Sequence, residues 1–341
     1  MAGHCIYCRE NNDWADEHVL SQWMGCRTSL KDTVCTTCNH QFGGGPEGRL
    51  HTLLVPIAEV CAVPQGESKR RNRVWKTEVH GRVRQLLLSA DRQAASLIQP
   101  VVQEVPLGDG RTLLTVTGNE AQDRRVRSKH LRKGLPVTSV GSKSYSEEVV
   151  GYFEIDLDQI YSDGALTAAS KYAANYACFA FGLTSPCFAF TRNAYDALRG
   201  VQEPSAFVFP VGDEKLLNKL SLRPPHHTCL IVPSDRTATW VAIVVLFGLF
   251  PFFVLASDVG TKIEYWKCHR FLVGKGEPTV EELSIFGLPN IGLTDVTVRD
   301  AADRYQRLRF IGENYRRFLP AIAKELTGRE ITMERTGEMT P

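Results

Sequence analysis

The sequence predicts an α+β protein: a zinc-stapled N-terminal module followed by a mixed α/β C-terminal region. Three observations predict it. Two Cys-x-x-Cys pairs, Cys5-Ile6-Tyr7-Cys8 and Cys35-Thr36-Thr37-Cys38, stand close to the start. Four thiolates in two knuckles are the usual ligand set of a structural zinc ion, which takes a closed tetrahedron of sulfurs. Runs rich in Val, Ile and Phe, bounded by Gly and Pro, read as strands in the later part of the chain. Near the end, Tyr305, Leu308, Ile311, Tyr315, Phe318 and Ile322 recur at helical spacing.

Composition sets limits. At 341 residues the chain can hold two or three domains and a sizeable core. With 43% hydrophobic and 23% charged residues it is an ordinary globular sequence. A net charge of +2 excludes a polycation, so any nucleic-acid contact must come from local patches. There are ten cysteines; beyond the knuckles, Cys26, Cys61, Cys178, Cys187, Cys229 and Cys268 are scattered. That is not an evenly stapled secreted scaffold. The opening Met1-Ala2-Gly3-His4-Cys5 carries no apolar signal segment, so a cytoplasmic location is expected.

Residues 1–60 form the cysteine module. Gly43-Gly44-Gly45-Pro46 is a helix stop, so a short helix is expected from Cys35 to Phe42, carrying Cys38 and Asn39. Leu50, Leu53, Leu54 and Ile57 then keep helical spacing and dock the module on the rest of the chain. Residues 61–145 are a basic, polar linker or subdomain. They hold the runs Lys69–Lys76, with Trp75 among arginines, and Arg124–Lys133. A strand is expected over Arg111–Thr117, and the second run reads as a helix with one thin buried stripe of Ala121, Val126 and Leu131.

Residues 146–335 read as a mixed α/β domain. Strands are expected over Gly151–Leu157, Ser205–Val211 and Thr228–Pro233. A helix is expected over Ala165–Phe181, with Asp163 as cap and Gly182 as stop. The apolar stretch Trp240–Ala256 falls short of the roughly 20 residues a membrane helix needs. Gly248 and Pro251 interrupt it, so it reads as two buried strands, with membrane attachment the minor alternative. Pro320 is a kink or restart point in the last helix, and the tail after Arg329 is polar. His226-His227-Thr228-Cys229 has the look of a metal cluster. Adjacent strand residues point to opposite faces, however, and cannot readily share one ion.

Between the knuckles lies Glu17-His18-Val19-Leu20-Ser21-Gln22-Trp23-Met24-Gly25, and the second knuckle continues Asn39-His40-Gln41-Phe42-Gly43. The span from Cys8 to Cys35 has room for a two-stranded hairpin. So small a unit would draw much of its stability from zinc. This pattern resembles the zinc-containing branch of the HNH endonuclease family, whose fold is the ββα-metal module. The match is confined to the cysteine module and its continuation Arg49–Leu54.

The resemblance implies a role for each matched residue. His18 stands at the general base, which takes a proton from the water attacking a phosphodiester. Glu17 and Asn39 stand at ligands of a catalytic Mg²⁺ or Mn²⁺ that stabilises charge on the phosphoryl oxygens, with His40 the rival third ligand. Cys5, Cys8, Cys35 and Cys38 stand at the structural zinc. The family's middle asparagine has no counterpart in Ser29–Val34, where Asp32 is the nearest stand-in, and this bears on how the histidine is oriented.

The expected activity is metal-dependent cleavage of DNA, with no membrane partner. One such site cuts one strand, so symmetric cutting would need a homodimer. Arg70, Arg71, Arg73, Arg124, Arg125, Arg127 and Lys129 are the candidate phosphate contacts, although charge runs are also common on plain solvated faces. The alternative is a zinc-stapled nucleic-acid-binding protein without hydrolysis.

Overall fold

The computed structural model describes residues 4–10, 13–61, 63, 73–79, 82–88, 95–97, 99–107, 111–117, 120–134, 138, 151–152, 155–211, 226–233, 239–257, 266–273, 280–283 and 300–327. The chain divides into two compact units, residues 1–65 with 156–341, and residues 66–155. Of the three segments drawn from the sequence, the first and last thus belong to one body, and the basic middle is the other.

In the larger unit, β1 (Trp14–His18) pairs antiparallel with β2 (Ser29–Cys35), matching Glu17 with Leu30 and His18 with Ser29. The register shifts between Ala15 and Glu17. Such a shift re-aims side chains; here Asp16 stays exposed and Glu17 is buried. A single 3-10 turn, Gln22–Met24, ends at Gly25, whose φ of 96° favours a residue without Cβ. Helix α1 (Thr36–Gly44) starts inside the second knuckle, and the Cys35 sulfur caps it by accepting from the Cys38 N–H. Helix α2 (Pro46–Val60) begins on proline, where a missing N–H costs nothing. It buries Leu50, Leu54 and Ile57.

The middle segment, which includes helix α3 (Glu120–Arg132), intervenes before the chain returns to this unit. A short helix α4 (Leu157–Ile160) then precedes α5 (Asp163–Phe181) and α6 (Ser185–Leu198). Ser162 is the N-cap of α5, one place before the expected Asp163, and Gly182 ends it at φ 68°. Nearly every residue of α5 from Ala165 to Cys178 is buried. Cys178 and Cys187 form a disulfide across the α5–α6 turn, so these two are not free thiols.

Among the described residues, the larger sheet of this unit has six antiparallel strands. They are β9 (Val208–Pro210), β10 (His226–Pro233), β11 (Thr239–Leu246), β12 (Phe250–Ser257), β13 (Lys267–Leu272) and β14 (Val280–Glu282). Their order is β14-β13-β10-β11-β12-β9. The apolar run Trp240–Ala256 is the β11–β12 hairpin, turned at Phe247 and Gly248, both with positive φ as a mirror-image turn needs. One face gathers Phe209, Leu230, Ile243, Phe253 and Cys268, against which Phe310 of the last helix, α7 (Ala301–Thr327), packs. The other face carries Trp240, whose ring meets Phe181 of α5 at 6.1 Å. Helix α7 continues through Pro320. Among the described residues no helix is long and apolar enough to cross a membrane.

The smaller unit holds a four-stranded sheet of β3 (Arg73–Val79), β4 (Arg82–Leu88), β5 (Ala95–Leu97) and β8 (Gly151–Tyr152), in the order β5-β4-β3-β8. It also holds the hairpin β6 (Val101–Leu107) and β7 (Arg111–Thr117), and helix α3. Helix α3 buries none of its residues, and Leu131 is 56% exposed, so the expected buried stripe is absent. The strand expected over Gly151–Leu157 is described only at Gly151–Tyr152, and Leu157 already starts α4. That expected over Ser205–Val211 shortens to β9, because Pro204–Ala206 form a 3-10 turn. The tail after Arg329 lies outside the described residues.

Candidate metal centre and the Glu17–His18 junction

The two knuckles meet because β2 returns antiparallel to β1 and delivers Cys35 and Cys38 beside Cys5 and Cys8. Their four sulfurs all lie within 4.8 Å of one another. A zinc–sulfur bond of about 2.3 Å sets the edges of a tetrahedron near 3.8 Å; the Cys8 and Cys35 sulfurs are 3.7 Å apart. Backbone N–H groups point at the sulfurs, Cys35 N–H to Cys5 Sγ and Cys38 N–H to Cys35 Sγ, each at 3.4 Å. A hydrogen bond from Cys38, with help from backbone N–H groups, holds the Cys5 thiol down at about 4 against burial. This donor set could hold a metal ion such as zinc. Among the described residues no other group of three or more His, Cys, Asp or Glu side chains is close enough to share an ion.

Glu17 faces away from solvent. Its Oε1 accepts from Lys171 Nζ at 2.9 Å and from Asn175 Nδ2 at 2.9 Å, both on α5. Lys171 also donates to Glu47 Oε2 at 2.5 Å, and Glu47 lies in the first turn of α2. The second Glu47 oxygen accepts from Ser21 Oγ, to which the Tyr172 hydroxyl then donates at 2.8 Å. The ammonium is 1% exposed and the Glu17 side chain 4%. Burial raises the pKa of Glu17, with Lys171 opposing. Burial alone would lower Lys171, but Glu47 and Glu17 outweigh it and its pKa is raised.

His18 is half-buried at the end of β1. Burial pushes its imidazole below the ordinary histidine value; Asp16 opposes this and Lys171 adds to it. Its peptide is tied down, since Asn175 Nδ2 donates to the His18 carbonyl at 2.8 Å. Asn175 Oδ1 accepts from the Tyr7 hydroxyl at 2.6 Å, and Tyr7 belongs to the first knuckle. One fully buried amide thus joins the cysteine cluster, the Glu17 carboxylate and the His18 backbone.

The remaining sequence candidates lie on other elements. Asn39 is half-buried on α1 and His40 is exposed there. Asp32 is exposed in β2 at a φ of 53°. The expected pairing of Glu17 with a divalent ion meets a different arrangement: the cation beside this carboxylate is the Lys171 ammonium, so the residues as placed do not fit Mg²⁺ or Mn²⁺ at Glu17. Arg124, Arg125, Arg127 and Lys129 lie on α3, with Arg127 paired to Asp123 at 2.8 Å. Arg73 opens β3, and Arg70 and Arg71 lie outside the described residues. His227 is a buried strut. Its Nδ1 accepts from the Phe247 N–H at 3.1 Å, which leaves Nε2 to donate to the Met24 carbonyl at 3.1 Å. Burial lowers its pKa to about 4.

Lys171, Asn175 and Glu47 were not among the sequence candidates. A signal existed for the first two. They stand four apart in a helix otherwise made of alanines, tyrosines and other buried residues, a spacing that puts both on one face. Buried lysine is rare unless paired. Compared with protein-family models, with curated proteins and with solved structures, the chain matches none of them.

Proposed function

We propose that the protein is a DNA endonuclease of HNH type, a phosphodiester hydrolase with His18 as general base. The observation that carries this reading is the ββα arrangement of β1, β2 and α1 beside four clustered cysteines, with a half-buried imidazole, its pKa lowered by burial, at the end of β1. In the proposed step a water oxygen bonds to phosphorus and its proton passes to His18. The phosphorus bond to the leaving 3′ oxygen breaks, its electron pair stays on that oxygen, and a proton from solvent completes the hydroxyl. A neutral imidazole is the form that can take this proton. The basic side chains of α3 supply phosphate contacts that carry no sequence information. The family resemblance also implies Mg²⁺ or Mn²⁺, but the Glu17 carboxylate is already bound to Lys171.

That ion pair favours a second reading, a zinc-stapled nucleic-acid-binding protein without hydrolysis. Supercoiled-plasmid cleavage with Mg²⁺ or Mn²⁺ separates the two, run beside His18→Ala and an EDTA control. Nicking that is lost in His18→Ala supports the nuclease. Salt-sensitive DNA binding with no nicking under any of these conditions leaves the binding protein.

A further inference from the structure

We infer that Asn175 is the positioning residue of His18, so that helix α5 completes a site whose other parts lie in the cysteine module. The inference rests on the nuclease reading for its kinetic consequence and on geometry alone for the clamp itself.

Asn175 is wholly buried, and both its donor hydrogens are spent on the dyad, one on the His18 carbonyl and one on Glu17 Oε1. Its oxygen accepts from the Tyr7 hydroxyl, and because both dyad partners are acceptors, a carboxylate and a carbonyl, the NH₂ end must face them. No asparagine of β2 can take this place, since Ser29–Cys35 contains none. An imidazole swings about its own backbone, so a carbonyl held at 2.8 Å limits where the ring can go. Lys171, one turn earlier on α5, holds the same Glu17 oxygen and keeps the carboxylate from turning. Tyr7 adds a consequence: it sits between Cys5 and Cys8, so the state of the cysteine cluster reaches His18 through two hydrogen bonds.

Removing the amide should therefore leave DNA binding intact and spoil the chemical step. Misplacing a reacting group by about 1 Å costs on the order of 100-fold in rate. The test uses the full-length zinc-loaded chain and three variants. Asn175→Leu keeps volume but offers no donor, Asn175→Ala removes the amide, and Tyr7→Phe frees the amide to turn. Plasmid nicking is measured as kcat and KM, zinc as ions released per chain. The rate of diethylpyrocarbonate modification of His18 is read by mass spectrometry, with His4 and His40 as internal references.

The expected result is a kcat lower by about 10- to 100-fold in the Asn175 variants, with KM and zinc content unchanged and His18 modified several-fold faster. Tyr7→Phe shows the same pattern at smaller size, and decides the matter if the Asn175 variants do not fold. If the wild-type chain does not nick DNA, the nuclease reading fails. The modification rate then still decides the clamp, because it needs no turnover. The inference is overturned if Asn175→Leu and Tyr7→Phe keep zinc and leave both kcat and the His18 modification rate at wild-type values. It is equally overturned if activity falls only in step with lost zinc or lost folded protein.

Discussion

Replacing Lys171 with methionine is the most informative stability measurement the structure offers. Methionine is close to lysine in length and apolar, so packing is largely kept while the ammonium is deleted. What remains are Glu17 and Glu47, both buried, which had shared that ammonium at 2.9 and 2.5 Å. Deleting one partner of a buried ion pair costs about 3–5 kcal/mol, because the surviving charge is left without compensation. Two surviving carboxylates place Lys171→Met at the upper end, eased by Asn175 and Ser21, which still donate to one oxygen each.

The loss should depend on pH, and its sign comes from proton counting. Without Lys171 the Glu17 pKa, already raised by burial, rises further, and the folded state then holds a proton that the unfolded state releases. Stability falls with pH wherever the native state binds more protons; because Glu17 is already raised in the wild type, the penalty grows only above that raised value, where the variant alone still holds the proton. Urea unfolding of the zinc-saturated protein at about pH 6 and about pH 8, followed by tryptophan fluorescence, should show a larger gap from wild type at the higher pH. Glu17→Gln combined with Lys171→Met should recover part of the loss, since it removes an uncompensated charge. A loss below about 1 kcal/mol at the higher pH, or one equal at both pH values, would refute the reasoning, because an ion pair this buried cannot be worth so little.

Three further outcomes are expected. The purified chain should release one zinc per molecule when its thiols are modified, and Cys38→Ser should weaken zinc binding by more than about 100-fold, the larger end of what even outer-shell changes cost; full retention of zinc in that variant would remove the four-sulfur site. Alanine at Arg124, Arg125 and Lys129, all exposed on α3, should leave the fold alone and flatten the salt dependence of DNA binding by about 0.9 per lost phosphate contact; an unchanged slope would take α3 out of the interface. Oxidised, denatured protein should expose eight alkylatable cysteines, and replacing Cys178 and Cys187 by serine should cost on the order of 2–3 kcal/mol, as a loop this short predicts; ten reactive thiols without reductant would refute the disulfide.

Legibility varied with the range of the interaction. The knuckles, the stop at Gly43–Pro46 and the hairpin turned at Gly248 are local signals, and α1, α2, β11 and β12 obey them closely. The destination of Glu17 was not legible. Its sequence neighbours imply an open metal ligand, and the register shift in β1 together with a lysine more than a hundred residues away sends it inward. Helix α3 misled for a simpler reason: Ala121, Val126 and Leu131 stand five apart, about 140° per step around a helix, so they share no face that could be buried. The pairing of β3 with β8, which ties the two ends of the middle segment together, was not legible because it is long-range.

The polar junction also explains why a buried lysine is tolerated at all. Helix α2, which packs against α5, buries Leu50, Leu54 and Ile57, and the Phe42 ring lies 5.4 Å from the Lys171 ammonium. Apolar burial is non-directional, so alone it would let α5 slide or turn against that surface at modest cost. Lys171 removes that freedom. Its partners come from two separate elements, β1 and α2, and moving α5 by one helical turn, about 5.4 Å, would break both contacts and strand three buried charges. A buried polar group that fixes register at some expense in stability is the best-attested use of such pairs. The register Lys171 fixes is the one that sets Asn175, one turn further along α5, against the His18 carbonyl. The ion pair and the amide therefore act in sequence, the first choosing the position of the helix and the second using it.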